Sequence, residues 1–357
     1  MSQLRTIDLP ISISTMLMKR NHIALKAGDV VEVRPAGEII KTLNTSGALD
    51  NLPFMPEMLQ FCGKRFRVLH RVVQATIDAA FLNHTESFVR EFRNNDVVIL
   101  QGVRCSGVEH DACQRGCAVF WKEAWLKKVD TDQLLSAIGA RTAPAAMDLL
   151  PILRTRAEDG MYFCQSSEFP KATLHLSGRQ RVKKCFSAVA AGNISTWGMV
   201  KRNVRWMWWR GYSKLFGQFV HGSQEKTPTE SLGLQPGELV EVKSLPEIIA
   251  TLNIHGRNRG LHFSADQRPF CGKRYRVRSR ADNFIVEGTG EMKHFRDTVI
   301  LEDVLCDSTY FAFGGCYRAD LLYWREIWLK RVEAASDVTA SPAAQACAPH
   351  VDAGVCC

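Results

Sequence analysis

One segment of this chain occurs twice, and the duplication limits the architectures that the chain can adopt. Gly28–Val68 matches Gly237–Val277 without a gap, and 20 of the 41 positions are identical. Two shorter matches follow in the same order, DVVILQGVRC with DTVILEDVLC and FWKEAWLKKV with YWREIWLKRV. A repeat of this kind predicts two related domains separated by a segment of different character.

Each copy has the pattern of a small β domain. DVVEVR and ELVEVK alternate apolar and polar residues after a glycine, and KRFRVLHRV alternates apolar and basic residues. GEIIKTL and PEIIATL are long enough for one or two helical turns, with Pro246 suited to the first turn. VVILQGV indicates a buried strand, and Trp125 and Trp328 lie in the segments that close each copy. The predicted class is mainly β, with tandem SH3-like barrels joined by a basic helical segment; OB-like barrels fit nearly as well.

The sequence divides accordingly into five segments. They are an N-terminal extension (1–26), the first repeat (27–130), a Trp-rich basic region (131–230), the second repeat (231–335) and a tail (336–357). The tail is rich in Ala, Ser and Pro and is predicted to be disordered. NISTWGMVKRNVRWMWWRGYSKLFGQF predicts one helix, because apolar residues recur at helical spacing. These residues are Ile194, Trp197, Val200, Val204, Trp208 and Leu215.

Composition limits the class of protein and the cellular compartment that we expect. Of its 357 residues 46% are apolar, which excludes a compositionally disordered protein. It has no run of about 18 apolar residues, so no transmembrane segment is predicted, and the N-terminus lacks a signal-peptide pattern. We therefore expect a cytoplasmic protein. Thiols stay reduced in the cytoplasm, so clustered cysteines indicate metal or redox chemistry before structural disulfides.

The first repeat contains such a cluster. Cys105, His110, Cys113 and Cys117 follow the pattern C-x4-H-x2-C-x3-C, and Cys62 lies on an earlier segment. Four cysteines can hold a tetrahedral zinc ion or, as the alternative, a 4Fe–4S cluster, and the histidine could replace a ligand or orient one. The alternative without a metal is that these cysteines are ordinary small core residues. We expect Cys62, Cys105, Cys113 and Cys117 to bind a metal, with His110 as a substitute or supporting ligand.

The second repeat carries a shorter version of the cluster. We align Cys271, Cys306 and Cys316 with Cys62, Cys105 and Cys117, which leaves Cys113 without a counterpart. A metal with an open fourth position is what a catalytic site needs. Burial as core residues is the competing interpretation, and whether this repeat binds metal stays open.

Positive charge is concentrated between the repeats. Residues 169–224 contain ten Lys or Arg and no Asp or Glu, although the net charge of the whole chain is only +9. Four of the basic residues, interleaved with tryptophans, are predicted to bind anions; they are Lys201, Arg202, Arg205 and Arg210. Nucleic acid or an anionic lipid surface would suit this mixture of charge and aromatic rings, and a protein partner is a further possibility. The competing interpretation is a helix that packs its tryptophans between the two barrels.

The pattern FCGKR…C…GC…YWREIWLKRV resembles a group of uncharacterised bacterial proteins with two Cys-bearing SH3-like repeats, for which no activity is settled. The resemblance implies the two-repeat layout and a ligated centre, and it implies no substrate. We therefore expect a metal-binding accessory protein with zinc or an iron–sulfur cluster. The alternatives are a metal-dependent enzyme of a bacterial biosynthetic pathway and a nucleic-acid-binding protein that uses the middle helix. No P-loop, G-x-S-x-G or H-E-x-x-H sequence decides whether the chain is an enzyme.

Overall fold

The computed structural model describes residues 24–77, 89–129, 153–216, 220–306, 310 and 312–332. The predicted disordered tail, the extension up to residue 23 and the first part of the middle region, 130–152, lie outside the described residues.

Both copies form the elements that their sequences predict. The first contains β1 (Val30–Val33), α1 (Ala36–Ile40), β2 (Ala48–Leu49), β3 (Leu52–Pro53), β4 (Arg65–Arg71), β5 (Ala75–Thr76), β6 (Val89–Phe92), β7 (Val97–Arg104), β8 (Ala118–Lys122) and β9 (Leu126–Lys128). The middle region contains α2 (Phe169–Ala172), β10 (Thr173–His175), α3 (Gly178–Ala190) and α4 (Thr196–Phe216). The second copy contains β11 (Leu239–Val242), α5 (Leu245–Ile249), β12 (Arg257–Asn258), β13 (Leu261–His262), β14 (Arg274–Arg280), β15 (Asn283–Ile285), β16 (Met292–His294), β17 (Thr298–Leu305), β18 (Leu321–Arg325) and β19 (Leu329–Arg331).

Each copy builds a five-stranded antiparallel sheet of the same topology. The strand order is β8-β7-β4-β1-β9 in the first copy and β18-β17-β14-β11-β19 in the second. The register is also repeated, since Val31 pairs with Phe66 where Val240 pairs with Tyr275. The last strand of each copy returns to pair with the first. The described residues are mainly β, with two related half-barrel sheets, and the duplication extends to strand pairing.

The two cores repeat the same aromatic arrangement. In the first, Phe54 lies edge-on to Trp125 at 5.4 Å, and the indole N–H of Trp125 donates to Thr42 Oγ1 at 3.0 Å. In the second, Phe263 and Trp328 are 5.3 Å apart, and Trp328 donates to Thr251 at 3.0 Å. Both tryptophans are fully buried. A ring of this size contributes a large apolar area, and its one polar atom needs a partner when it is buried.

A buried ion pair fastens the entry of each copy to its sheet. Arg71 donates to Glu123, which also accepts the backbone N–H of Leu25 at 2.7 Å. Arg280 donates to Glu326 at 3.0 Å, and Glu326 accepts the N–H of Leu234 at 3.2 Å. Loss of Glu123 would leave the Arg71 charge uncompensated at a site only 10% exposed, which is strongly destabilising, whereas Arg280 is 27% exposed and also pairs with Asp282 at 2.8 Å.

The middle region is part of the fold and not only a connection. β10 pairs with β6 and adds a third strand to the β5–β6 pair of the first copy. α4 confirms the predicted helix, whereas α3 was not predicted. A capping box between Ser177 and Gln180 begins α3, and its buried side contains Cys185 and Ala188. Among the described residues, no helix combines the length and the apolar character needed to cross a membrane.

Candidate functional site

The loop before β8 and the loop before β18 are exchanged between the copies. In the first loop the backbone N–H of Gln114 donates to Asn283 O of the second copy at 2.7 Å. In the second loop the N–H of Tyr317 donates to Gln74 O of the first copy at 3.3 Å. Asn283 and Gln74 are equivalent positions of the two copies, so the exchange is reciprocal.

The cysteines next to Gln114 and Tyr317 also make reciprocal contacts between the copies. Cys113 Sγ accepts the backbone N–H of Ile285 at 3.5 Å, and Cys316 Sγ accepts that of Thr76 at 3.4 Å. Ile285 and Thr76 are again equivalent positions. Each cysteine therefore touches the copy to which it does not belong.

This geometry corrects the alignment of the cysteines. Cys316 is the counterpart of Cys113, since both precede β8 or β18 by the same number of residues and make the same contact. The counterpart of Cys117 is Asp320, because the N–H of Cys105 donates to Cys117 O where that of Cys306 donates to Asp320 O. The prediction that Cys316 matches Cys117 is wrong. It failed because Gly116-Cys117 and Gly315-Cys316 look alike in sequence but lie at different distances from the strand that follows, Cys117 directly before β8 and Cys316 five residues before β18.

A carboxylate lies where the exchanged loops meet. Arg115 Nη2 donates to Glu287 Oε2 at 3.1 Å, and its counterpart Arg318 donates to Glu287 Oε1 at 2.5 Å. Glu287 and Arg318 are each 2% exposed. Arg318 also donates to Thr76 O at 2.7 Å, and Arg115 donates to Ile285 O at 3.0 Å. One buried negative charge thus holds one arginine from each copy.

Beside this junction is a cavity of about 30 Å³ whose wall is rich in sulfur. Four cysteines line it, namely Cys105, Cys113, Cys117 and Cys164. The rest of the wall includes Met55, His110, Arg115, Gln165, Ser166, Ile285 and Arg318. Ser166 Oγ is buried and has no hydrogen-bond partner in the described structure. The exchange of loops thus creates a partly open space to which both copies contribute, the second through Ile285 and Arg318.

Burial controls the ionisation of these thiols. It raises the pKa of Cys117 to about 12, and the neighbouring Arg115 guanidinium opposes that rise. Burial likewise raises the pKa of Cys164 to about 11 and that of Cys105 well above its usual value. The three groups are therefore neutral thiols near neutral pH as long as no metal ion lies beside them.

His110 supports the wall through its hydrogen bonds. Its Nδ1 lies 2.5 Å from Glu57 Oε1, and its Nε2 lies 3.2 Å from the carbonyl oxygen of Phe163. Burial lowers the pKa of His110, but the hydrogen bond and charge of Glu57 outweigh burial and raise it overall. His110 thus connects the cysteine loop to the segment that carries Cys164.

The predicted metal ligands divide into two groups. Cys105, Cys113, Cys117 and His110 come together at the cavity, whereas Cys62 does not line it. Cys62 ends the 3-10 turn Pro56–Phe61 and packs into the first core, where burial raises the pKa of its thiol to about 11. Cys62 is therefore a residue of the packed core that does not belong to the lining of the cavity.

The second predicted set is dispersed. Cys271 packs against the second core, Cys306 Sγ lies 3.5 Å from Asp266 Oδ2, and Cys316 reaches the first copy. Within the described ranges, no three His, Cys, Asp or Glu side chains are arranged as ligands of one metal ion.

Cys164 is the cavity cysteine that lies outside both repeats; the sequence allows it to join the ligand cluster, although packing in a core is the favoured interpretation. The Ser167 hydroxyl accepts its backbone N–H at 2.9 Å, in the turn that leads into α2. Its only signal was a further cysteine, in MYFCQS, outside both repeats. Nothing in a single sequence indicates that this turn lies against the cysteine loop.

The four predicted anion-binding residues also separate. Lys201, Arg205 and Arg210 are exposed on α4. Arg202 lies on the packed side of the helix, where it donates to Gly314 O at 3.4 Å and lies over the Tyr317 ring. Arg202 is therefore partly buried against the exchanged loop, whereas the other three side chains face solvent.

Comparisons of the chain with protein-family models, with curated proteins and with solved structures found no match.

Proposed function

We propose that this protein is a binding or accessory module in which the exchanged loops hold a thiophilic metal ion, with zinc as the best candidate. The observation that carries the proposal is the lining of one small cavity by four thiols. They are the thiols of Cys105, Cys113, Cys117 and Cys164. Thiolates are the preferred ligands of zinc at structural sites.

The side chains need only local movement to reach a common ion. A change of χ1 rotamer moves a thiol sulfur by roughly 3 Å while the backbone stays in place. Because three of the cysteines lie in one loop and Cys164 in a facing turn, the ion would be clamped from two sides. This is the arrangement of a structural site, in which distant segments are joined.

The size of the cavity favours one ion over a cluster. A space of about 30 Å³ suits a single ion or a very few water molecules. A 4Fe–4S cluster has eight core atoms and would require the wall to open. Zinc is therefore the proposed cofactor, and the iron–sulfur cluster becomes an outcome of the test.

Charge around the cavity suits a thiolate-bound metal. Four thiolates around one Zn²⁺ carry a net charge of −2, which is costly to bury without compensation. Arg115 and Arg318 border the cavity and supply positive charge. Part of that charge is already balanced by Glu287 and by Asp320, which lies 3.0 Å from Arg318 Nε. His110 lines the same wall and could replace one thiolate, which would lower the charge to be compensated.

The experiment is metal analysis of protein purified without oxygen, with paired cysteine variants. We expect about one zinc ion per chain in the wild type. Cys164→Ser should lose most of it, while Cys62→Ser, which alters a buried cysteine outside the cavity, should retain it. Retention of full zinc by Cys164→Ser, or loss confined to Cys62→Ser, refutes the proposed ligand set.

The colour of the anaerobic protein separates the alternatives. A brown preparation that contains iron and loses its colour in Cys164→Ser would replace zinc by an iron–sulfur cluster at the same residues. Protein that binds neither metal would leave the thiols as core residues. Cys316→Ser serves as a further control, since Cys316 makes the same backbone contact as Cys113 but does not line the cavity.

For the fold we propose SH3-like rather than OB-like barrels. Support comes from the return of β9 and β19 to the first strand of their copies, together with the short 3-10 turns that precede them, Glu123–Trp125 and Glu326–Trp328. An experimental structure in which either sheet closes through another strand would contradict this assignment.

A further inference from the structure

The apolar stripe of α4 faces solvent, although its spacing is that of a face that packs against the protein. The residues at helical spacing face solvent: Trp197 is 65% exposed, Val204 53% and Trp208 63%. Val200 and Leu215 of the same stripe are also exposed. In a helix that packs through its apolar stripe these side chains would be buried.

A second face of α4 makes the contacts with the protein. Met199 is buried with Cys185 of α3, and Asn203 Oδ1 accepts the N–H of Gly314 at 3.0 Å. Trp206 lies 5.1 Å from Phe313, and Trp209 lies 5.2 Å from Tyr310. Because this face already attaches the helix, the outward stripe is not required for folding.

Exposed apolar side chains are concentrated on this helix pair. Fourteen large apolar side chains are exposed in the described part of the chain, and nine belong to α3 and α4. Such side chains scattered singly are normal, whereas a concentration of them marks an interaction site. Seven of the nine lie on α4, whose 21 residues extend about 30 Å.

Basic side chains flank the stripe. Lys201, Arg205, Arg210 and Lys214 are exposed, and α4 contains no Asp or Glu. Lys201 Nζ lies 5.4 Å from the ring centre of Trp197, so one flank combines a cation with an aromatic ring. No ion pair among the described residues uses these four side chains. Their charge is available to an anionic partner.

We propose that the outward face of α4 docks on an anionic lipid surface. Trp and aliphatic side chains enter the boundary between headgroups and acyl chains, while flanking Lys and Arg bind the phosphates. Nucleic acid is less suitable, because bases stack on aromatic rings but gain little from Val200, Val204 and Leu215. A second copy of this chain is disfavoured, since its α4 would bring equal positive charge to the interface.

The test is co-sedimentation of the full chain with two kinds of vesicle. We expect binding to vesicles of phosphatidylcholine mixed with phosphatidylglycerol, and binding at least about tenfold weaker to phosphatidylcholine alone. The double variant Val204→Gln/Trp208→Gln should weaken binding to the anionic vesicles by at least about tenfold. Ile254→Gln is the matched control, because Ile254 is equally exposed, at 64%, but lies in the second copy.

Two further measurements make the outcome decisive. The variants should keep the circular dichroism spectrum and thermal midpoint of the wild type, because the altered side chains are exposed. Lys201→Gln/Arg205→Gln should reduce binding and its sensitivity to salt. Equal sedimentation of Val204→Gln/Trp208→Gln and Ile254→Gln overturns the proposal. Failure to bind anionic vesicles, with binding to a single-stranded oligonucleotide or with self-association instead, also overturns it. None of these results depends on the metal.

Discussion

The junction at Glu287 offers the sharpest test of the exchanged architecture. Glu287→Gln keeps the shape of the side chain and removes its charge. In the native protein that charge faces Arg115 and Arg318, one from each copy. The substitution therefore leaves two guanidinium groups with less compensation in a buried environment.

The size of the effect follows from the contacts that remain. Breaking one buried pair by removal of a partner costs about 3–5 kcal/mol. Arg318 keeps Asp320 at 3.0 Å and the carbonyl oxygen of Thr76, while Arg115 keeps the carbonyl oxygen of Ile285. These contacts place the expected loss near the lower bound, at about 3 kcal/mol.

The assay is urea unfolding followed by tryptophan fluorescence. The surface control is Glu38→Gln, whose partner Arg34 is 39% exposed and whose pair contributes less than about 1 kcal/mol. Arg115→Met combined with Glu287→Gln should recover part of the loss, because it removes one of the uncompensated charges. A loss for Glu287→Gln no larger than that for Glu38→Gln would refute our account of the junction.

Three other substitutions test separate parts of the structure. Burial, together with Arg202, lowers the pKa of His70 to about 4, so as the pH falls below about 6.5 only the unfolded state takes up this proton. The free energy of unfolding should therefore fall by up to about 2 kcal/mol between pH 7 and pH 5. In His70→Gln the urea midpoint should depend less on pH over this range. An unchanged dependence would show that His70 is not the group responsible. Glu326→Gln should cost about 1–2 kcal/mol by thermal unfolding, because the fully buried carboxylate accepts three backbone N–H groups but Arg280 is partly exposed and keeps Asp282. A negligible shift of the thermal midpoint would contradict the role of this carboxylate. Gly107→Ala should lower the thermal midpoint far more than Gly102→Ala. A Cβ at Gly107 would lie 2.0 Å from Cys113 O, whereas a Cβ at Gly102 has no atom within 4 Å. Equal thermal midpoints would show that the cysteine loop can move to make room.

Much of each repeat could be predicted because its signals are local. Alternation in KRFRVLHRV and the apolar run VVILQGV indicated strands that the structure contains as β4 and β7. Pro246 lies in the first turn of α5, as expected from its fixed φ angle. The duplication itself predicted that both sheets would share one topology.

What sequence reasoning missed depends on contacts between distant segments. The exchange of loops pairs Gln114 with Asn283, and no periodicity in either segment encodes a partner so far away. α3 was missed because its buried side consists of small residues, Cys185 and Ala188, which give little apolar periodicity. The apolar spacing predicted the helix α4, but periodicity alone does not tell whether an apolar face packs against the protein or faces solvent.

The reciprocal loops also bear on how the chain is made. During synthesis the first half leaves the ribosome well before Ile285 is translated. Until then Cys113 and Arg115 lack the backbone groups that they contact in the folded protein. The N-terminal half would spend that interval with its sulfur-bearing loop undocked and open to oxidation or to mispairing with another nascent chain. A gene cut between the halves should yield fragments that are soluble only when they are produced together.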